Sequence, residues 1–122
     1  MHEKYFDSDE QQNTFVAIGK GLIEMGAVKV GLSGSRAMGK QHGESDVDVV
    51  ALLIDSFCRK LGYEGKFILQ DCELPNGTYV PKNFQVVLAP YHSEGGKVAE
   101  SMKAKAIWLF TQQDSYIESC KA

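Results

Sequence analysis

Two apolar segments flank a short polar stretch, and glycine, serine and aspartate mark the junctions. The first segment alternates apolar with polar or small residues from Val28 to Leu32 and ends at Gly34-Ser35, and the second, VDVVALLI, begins near Asp46. Alternation with a period of two is typical of a half-buried strand, and a β-branched apolar run of this length is also typical of a strand. The polar, glycine-interrupted stretch GKQHGES favours a loop. We therefore expect two strands connected through a glycine-containing turn and a loop.

The second strand carries two carboxylates at its start. Asp46 and Asp48 are two positions apart, so on a strand their side chains point to the same face, about 6 to 7 Å from each other. Neighbouring carboxylates repel each other unless they are protonated or bridged by a cation, and oxygen ligands of this kind suit Mg²⁺ or Mn²⁺. This spacing predicts a divalent metal site at Asp46 and Asp48.

The Gly34-Ser35 turn is a candidate anion site. A strand that ends there and turns into a short helix would direct backbone N–H groups and the Ser35 hydroxyl at an anion such as a triphosphate. A metal between those phosphates and the aspartates would stabilise charge on a leaving pyrophosphate. Arg36 follows the turn directly, and it is a candidate for neutralising phosphate or for an ion pair with Glu44.

Gly34-Ser35 and the aspartates Asp46 and Asp48, with ten residues between them, form a motif. This motif resembles that of the nucleotidyltransferase superfamily typified by DNA polymerase β, whose minimal members carry Gly-Ser, a ten-residue gap and Asp-x-Asp. The resemblance covers residues 14 to 54 and leaves the rest of the chain to expected topology. The segments GSRAMG and SDVDVV match the family pattern at Gly34, Ser35, Arg36, Ala37, Gly39, Ser45, Asp46 and Asp48.

The resemblance implies that Ser35 contacts the triphosphate of a nucleoside triphosphate such as ATP and that Asp46 and Asp48 bind the catalytic metals. It also implies a third carboxylate on a later strand. In the segment FQVVLA, Gln85 stands at that third metal position, and Asp71 and Glu73 on the preceding strand are alternatives.

Two functions follow from the resemblance. One is an enzyme that transfers a nucleoside monophosphate to a hydroxyl acceptor, which another protein chain would present. The other is a catalytically weakened module that binds a nucleotide or a partner without turnover, because Gln85 supplies no charge to the metal. Minimal family members often act as the antitoxin beside a helical toxin protein, which gives an antitoxin role as an example.

The remaining pattern predicts an α+β domain over residues 1–122, with a small mixed, mainly antiparallel sheet flanked by helices, as in the nucleotidyltransferase fold. Pro81 should leave the early part of the last strand at a sheet edge or broken, since proline removes a ladder donor. The first predicted helix spans residues 9–25 and is capped by Ser8 with Gln11. A short helix over 56–61, a hairpin around Pro75-Asn76-Gly77 and a strand over 84–89 follow. A final helix is predicted near 97–113, capped by Ser93, with Val98, Met102, Ala106 and Leu109 on one face.

Composition limits the remaining classes. A net charge of -3, with no basic stripe, argues against general nucleic-acid binding. Without an apolar run of membrane-spanning length or a secretory signal, we expect no membrane partner and a cytoplasmic protein. The three cysteines, Cys58, Cys72 and Cys120, show no zinc spacing and are too few for a disulfide framework.

Other interpretations of the same residues remain open. GSRAMGKQ imitates a phosphate-binding GxxxxGK loop, but no Ser or Thr follows Lys40 and no long helix is expected there. GLSGS differs from a GxSxG nucleophile elbow at Ser35. Gly34-Ser35 could also be a turn that binds no anion, and Asp46 and Asp48 could be solvated carboxylates at the start of a strand. Lys40 and His42 could meet a nucleotide or be solvated, and Trp108 could stack on a base or belong to the core.

Overall fold

The computed structural model describes residues 5–38, 46–54, 68–91 and 96–111. These residues form a five-stranded sheet and a separate two-stranded ribbon, together with helices. The helices are α1 (Asp9–Glu24), α2 (Gly34–Ala37) and α3 (Lys97–Lys105). The strands are β1 (Ala27–Ser33), β2 (Val47–Leu53), β3 (Ile68–Leu69), β4 (Cys72–Glu73), β5 (Tyr79–Val80), β6 (Phe84–Pro90) and β7 (Ile107–Thr111).

The five-stranded sheet has the order β3-β6-β2-β1-β7. β1 is antiparallel to both β2 and β7, and β3 is antiparallel to β6. Only β2 and β6 pair in parallel among these strands. The sheet is therefore mixed and mainly antiparallel, with helices packed against it, which confirms the predicted α+β class.

Helix α1 begins where the sequence predicted. The Ser8 hydroxyl accepts a hydrogen bond from the backbone N–H of Gln11 at 3.1 Å, as expected for a capping residue. The Gln11 side chain accepts in turn from the backbone N–H of Asp7 at 2.9 Å. The apolar face of the helix, formed by Phe15, Ile18 and Leu22, is fully buried.

The two faces of the sheet hold separate apolar clusters, and β2 contributes to both. Alternate residues from Val47 to Leu53 belong to the larger core with α1. Val50 and Leu52 point to the opposite face, where Met102 of α3 packs against them. Because successive side chains on a strand alternate between faces, Asp48 lies on the α3 side of the sheet.

The predicted hairpin is present and is split by Pro81. β4 and β5 pair across the turn at Pro75-Asn76-Gly77, and the main chain resumes as β6 at Phe84. The Asn76 side-chain amide donates to the backbone carbonyl of Gly21 at 2.9 Å, which fixes the turn against α1.

The prediction of a final helix over residues 97–113 was wrong beyond its first part. Helix α3 ends at Lys105, Ala106 has an extended backbone with φ -73° and ψ 147°, and residues 107 to 111 form β7 along β1. The sequence IWLFT is rich in β-branched and aromatic residues, which favour a pleated surface. Pairing with β1 therefore outweighs the helical spacing that placed Leu109 on one face with Met102.

Several predicted elements lie outside the described residues: the loop over 39–45, the helix over 56–61 and the Ser93 cap. The backbone cap of α3 is Gly96, with no side-chain cap bond. Among the helices of the described ranges, none combines the length and apolar character that crossing a membrane requires.

Candidate functional site

A row of polar side chains crosses three adjacent strands on the α3 face of the sheet. Ser33 of β1 is the register partner of Asp48 on β2, and Asp48 is the register partner of Gln85 on β6. Register partners on neighbouring strands share one face of a sheet. Gln85 therefore shares a face with Asp48, as expected if it stands at the third position that the resemblance implies.

A cavity of about 510 Å³ lies above this row, between the sheet and α3. Such a volume is within the range of small-molecule sites. One part of its wall is polar and another is apolar. The lining residues are Ser33, Gly34, Met38, Asp48, Ile68, Gln85, Val87, Ser101, Met102 and Lys105.

Gly34 forms the sharp turn at the end of β1, and it needs to be glycine for two reasons. Its φ is +68°, in the left-handed region that other residues adopt at a cost. A Cβ atom at this position would also overlap Oδ2 of Asp48. The Asp48 carboxylate therefore packs directly on the backbone of the Gly34 turn, and the two halves of the sequence motif meet in space.

The carboxylates interact electrostatically. Burial raises the pKa of Asp48 above its ordinary value near 3.8, the negative charge of Asp46 raises it further, and the positive charge of Arg36 offsets part of the effect. Asp46 lies immediately before β2 and is exposed. An extra cation beside this pair would relieve both the repulsion and the burial of charge.

Arg36 faces inward, and its side chain is fully buried. Its guanidinium forms a salt bridge with Asp7 at 2.9 Å and donates to the backbone carbonyl of Tyr5 at 3.0 Å. A third donor, Nε, reaches the backbone carbonyl of Asp46 at 3.3 Å. These bonds tie the segment before α1 and the start of β2 to the turn. The proposed contact of Arg36 with phosphate stays a prediction, and its suggested partner Glu44 is outside the described residues.

The residue at the predicted third metal position carries an amide. Gln85 lines the cavity beside Asp48, whereas the alternatives Asp71 and Glu73 belong to the ribbon of β4 and β5 and are not among the lining residues that the structure describes. Asp71 accepts a short hydrogen bond from the Tyr79 hydroxyl. Within the described ranges, no group of three or more His, Cys, Asp or Glu side chains is arranged to hold a metal ion. Of the three predicted metal positions, Asp48 and Gln85 line the described cavity, whereas Asp46 is not among its described lining residues and acts on Asp48 through its charge.

Other residues that the sequence singled out have varied placements. Trp108 packs against the apolar cluster on the α3 face, and the Lys29 ammonium lies 5.9 Å from its ring centroid. Cys72 is a free thiol. The side chain of Ser35 and residues Lys40, His42, Cys58 and Cys120 lie outside what the structure describes.

Ser33 and Lys105 are two of the cavity residues that the sequence did not single out. Ser33 was not singled out, because its position beside Asp48 depends on the register between β1 and β2, which the pattern along one strand does not specify. Lys105 was not singled out within the segment that was expected to form one long helix. It came into the site because the helix ends there and the chain turns into β7.

Comparison of the sequence with models of protein families and with curated proteins found no match. The functional assignment therefore depends on the residues and their geometry.

Proposed function

We propose that this chain is a metal-dependent nucleotidyltransferase of the DNA polymerase β type, which transfers a nucleoside monophosphate from a nucleoside triphosphate to a hydroxyl acceptor. The observation that carries the proposal is the packing of the Asp48 carboxylate on the positive-φ turn at Gly34, inside one cavity. A phosphate-binding turn and a metal-binding carboxylate would then act on the same triphosphate.

The donor set fits a hard divalent cation. Asp46 and Asp48 supply carboxylate oxygens and Gln85 supplies an amide oxygen, and Mg²⁺ and Mn²⁺ prefer such ligands. The raised pKa of Asp48 also supports a cation here, since burial and the negative charge of Asp46 disfavour the ionised carboxylate, and a bound cation would stabilise it. When bound, Mg²⁺ would neutralise charge on the phosphates and polarise the phosphorus that is attacked.

The residues of the chain have distinct roles in this proposal. The Gly34-Ser35 turn binds the triphosphate through backbone N–H groups and the Ser35 hydroxyl, and Asp46 and Asp48 orient it through the cation. The acceptor oxygen forms a bond to the α-phosphorus, the bond from that phosphorus to the bridging oxygen breaks, and pyrophosphate leaves. The hydroxyl proton passes to solvent or to a base of the acceptor. On the α3 face of the sheet, the described part of the chain has one nine-residue helix, so we expect a second protein chain to present the acceptor. We expect the reaction to take place in the cytoplasm, where nucleotides and Mg²⁺ are supplied.

A second candidate function is a nucleotide- or partner-binding module without turnover, as an antitoxin would be. The observation that favours it is Gln85, which occupies the row beside Asp48 where a third carboxylate would complete the site. An amide oxygen can coordinate a cation but adds no negative charge, so the cation that activates the attacking hydroxyl would be held weakly. Binding would then survive better than transfer.

Calorimetric titration with ATP and the other nucleoside triphosphates, first in Mg²⁺ and then in EDTA, tests the proposed binding. Binding should require the cation, and Asp46→Asn or Asp48→Asn should each abolish it while the circular dichroism spectrum stays unchanged. Glu24→Gln, an exposed carboxylate at the end of α1, is the matched control and should bind like the parent. Equal affinity in Mg²⁺ and EDTA would rule out the cation bridge.

Intact-mass analysis separates the enzyme from the binding module. The chain and its co-purifying partners would be incubated with each nucleoside triphosphate and Mg²⁺ or Mn²⁺. A gain of one nucleoside monophosphate on any chain, absent in Asp48→Asn, supports transfer. Tight cation-dependent binding with no mass gain supports the module.

A further inference from the structure

The end of α3 approaches the Gly34 turn from the side opposite β2. Leu32 of β1 is the register partner of Ile107 on β7, and the strands are antiparallel. Moving forward along β1 from Leu32 reaches Gly34, while moving backward along β7 from Ile107 reaches Lys105. The two chain segments therefore converge, and both Gly34 and Lys105 line the cavity.

Lys105 brings the positive charge of this wall. It is the only Lys or Arg among the described residues that line the cavity, and it is exposed. No carboxylate of the described ranges forms a salt bridge with its ammonium. By contrast, Lys103 is already engaged, with bonds to Glu100 at 2.7 Å and to the carbonyl of Pro90 at 3.0 Å.

The same end of the cavity holds a buried polar group. The side chain of Ser33 lines the cavity, and the residue is only 3% exposed. Within the described part of the chain, its hydroxyl has no hydrogen-bond partner. Buried hydroxyl groups usually have a partner, and an unsatisfied one costs about 1 to 3 kcal/mol. A ligand or ordered water at this end of the cavity would satisfy it.

We propose that Lys105 is a triphosphate-binding residue, which contacts the phosphates at the Gly34 turn from the end of α3 while the Ser33 hydroxyl donates to the same anion. This inference rests on the proposed function and extends it to a residue outside the sequence motif. A flexible lysine is suited to follow phosphate oxygens, because its ammonium is a compact charge with three donors. Asp46 and Asp48 would hold the cation, and Lys105 would neutralise phosphate charge that the cation does not compensate.

The test compares Lys105→Ala, Lys105→Arg and the control Lys97→Ala. Lys97 is an exposed lysine at the first turn of α3 and is not part of the described cavity wall. Affinities for a nucleoside triphosphate, diphosphate, monophosphate and nucleoside would be measured in Mg²⁺ at low and high salt. Lys105→Ala should weaken triphosphate binding about tenfold, the size expected for losing one charge-assisted contact.

Three features identify a direct phosphate contact. The loss should decrease from triphosphate to monophosphate and vanish for the nucleoside, it should shrink at high salt, and Lys105→Arg should restore most of it. Ser33→Ala should add a smaller loss, about threefold. Circular dichroism and thermal unfolding should be close to those of the parent for every variant.

The outcomes separate this inference from the proposed function. If the parent binds no nucleotide in Mg²⁺, the proposed function fails and Lys105 has no ligand to contact. If the parent binds a triphosphate in an Asp48-dependent manner and Lys105→Ala binds equally well, the proposed function stands and the role of Lys105 is refuted. Equal losses for Lys105→Ala and Lys97→Ala would also refute it, since they would indicate a general effect of surface charge.

Discussion

Replacing Gly34 by alanine should damage the site beyond the cost of the backbone conformation alone. The chain contains a matched control in Gly77, which also has a positive φ, +88° against +68° at Gly34. A Cβ at Gly77 would meet nothing within 4 Å, whereas a Cβ at Gly34 would overlap Oδ2 of Asp48. The two substitutions therefore share the backbone strain and differ in the contact with the carboxylate.

The magnitudes follow from these two contributions. The left-handed conformation costs a residue other than glycine about 1 to 2 kcal/mol, so Gly77→Ala should lower the free energy of unfolding by about 1 kcal/mol. Gly34→Ala carries the same strain plus about 1 kcal/mol as the Asp48 carboxylate, whose Oδ2 is the overlapping atom, turns away from its rotamer. For a chain of this size, about 1 kcal/mol corresponds to roughly 4 °C in melting temperature.

Urea unfolding and triphosphate titration in Mg²⁺ measure both consequences. Gly77→Ala should bind nucleotide like the parent, whereas Gly34→Ala should lose at least tenfold in affinity, because the displaced carboxylate no longer faces the cation. The titrations belong at a temperature where both variants are folded. If Gly34→Ala matches Gly77→Ala in stability and in affinity, the contact between the turn and Asp48 does not contribute to binding, and the two do not form one binding site.

Three further substitutions test other parts of the structure. Arg36→Met should lower the free energy of unfolding by about 3 kcal/mol, since it breaks a buried salt bridge and leaves backbone carbonyls without donors. The control Glu100→Gln, in a partly exposed pair, should lower it by under about 1 kcal/mol. If Arg36→Met unfolds like the parent but binds nucleotide more weakly, the guanidinium contacts phosphate instead. Asp48→Asn should stabilise the protein in EDTA at neutral pH, because a raised folded-state pKa means that the ionised form opposes folding. This advantage should disappear as the pH falls below the unfolded pKa, where the acid is protonated in both states, and destabilisation at pH 7 would contradict the reasoning. Gln85→Asp should increase cation-dependent nucleotide transfer, whereas the surface control Asn13→Asp should not, and no increase would show that Gln85 is not the missing metal position.

The elements that the sequence predicted well are those whose signals are local. Helix α1 has both a side-chain cap at Ser8 and a regular apolar face, and β2 has a continuous β-branched run after its aspartates. The position of Gln85 beside Asp48 was expected from the resemblance, since alternation alone gives the face of each residue but not the register between strands. In these segments propensity, periodicity and tertiary packing favour the same structure.

The end of α3 could not be predicted from local spacing. Met102 and Leu109 satisfy a helical period, yet the open edge of β1 offers backbone hydrogen bonds that a continued helix would leave unused. The inward direction of Arg36 was equally hidden, because its partner Asp7 precedes α1 and is far away in the sequence. Both features depend on contacts between segments that no sequence window includes together.

The parallel pairing of β2 with β6 has a consequence for how the site forms during synthesis. Gly34 directly follows β1, and Asp48 belongs to β2, the strand that comes next in the chain and pairs with β1. Gln85 can pair with Asp48 only after the hairpin that lies between β2 and β6 in the sequence has been synthesised. Contacts between distant segments require more loop closure and form later. A nascent chain that has exposed β1 and β2 at the ribosome would carry the turn and the aspartates without Gln85 or the end of α3. Its affinity for nucleotide should therefore rise late in translation, when β6 and α3 close the cavity.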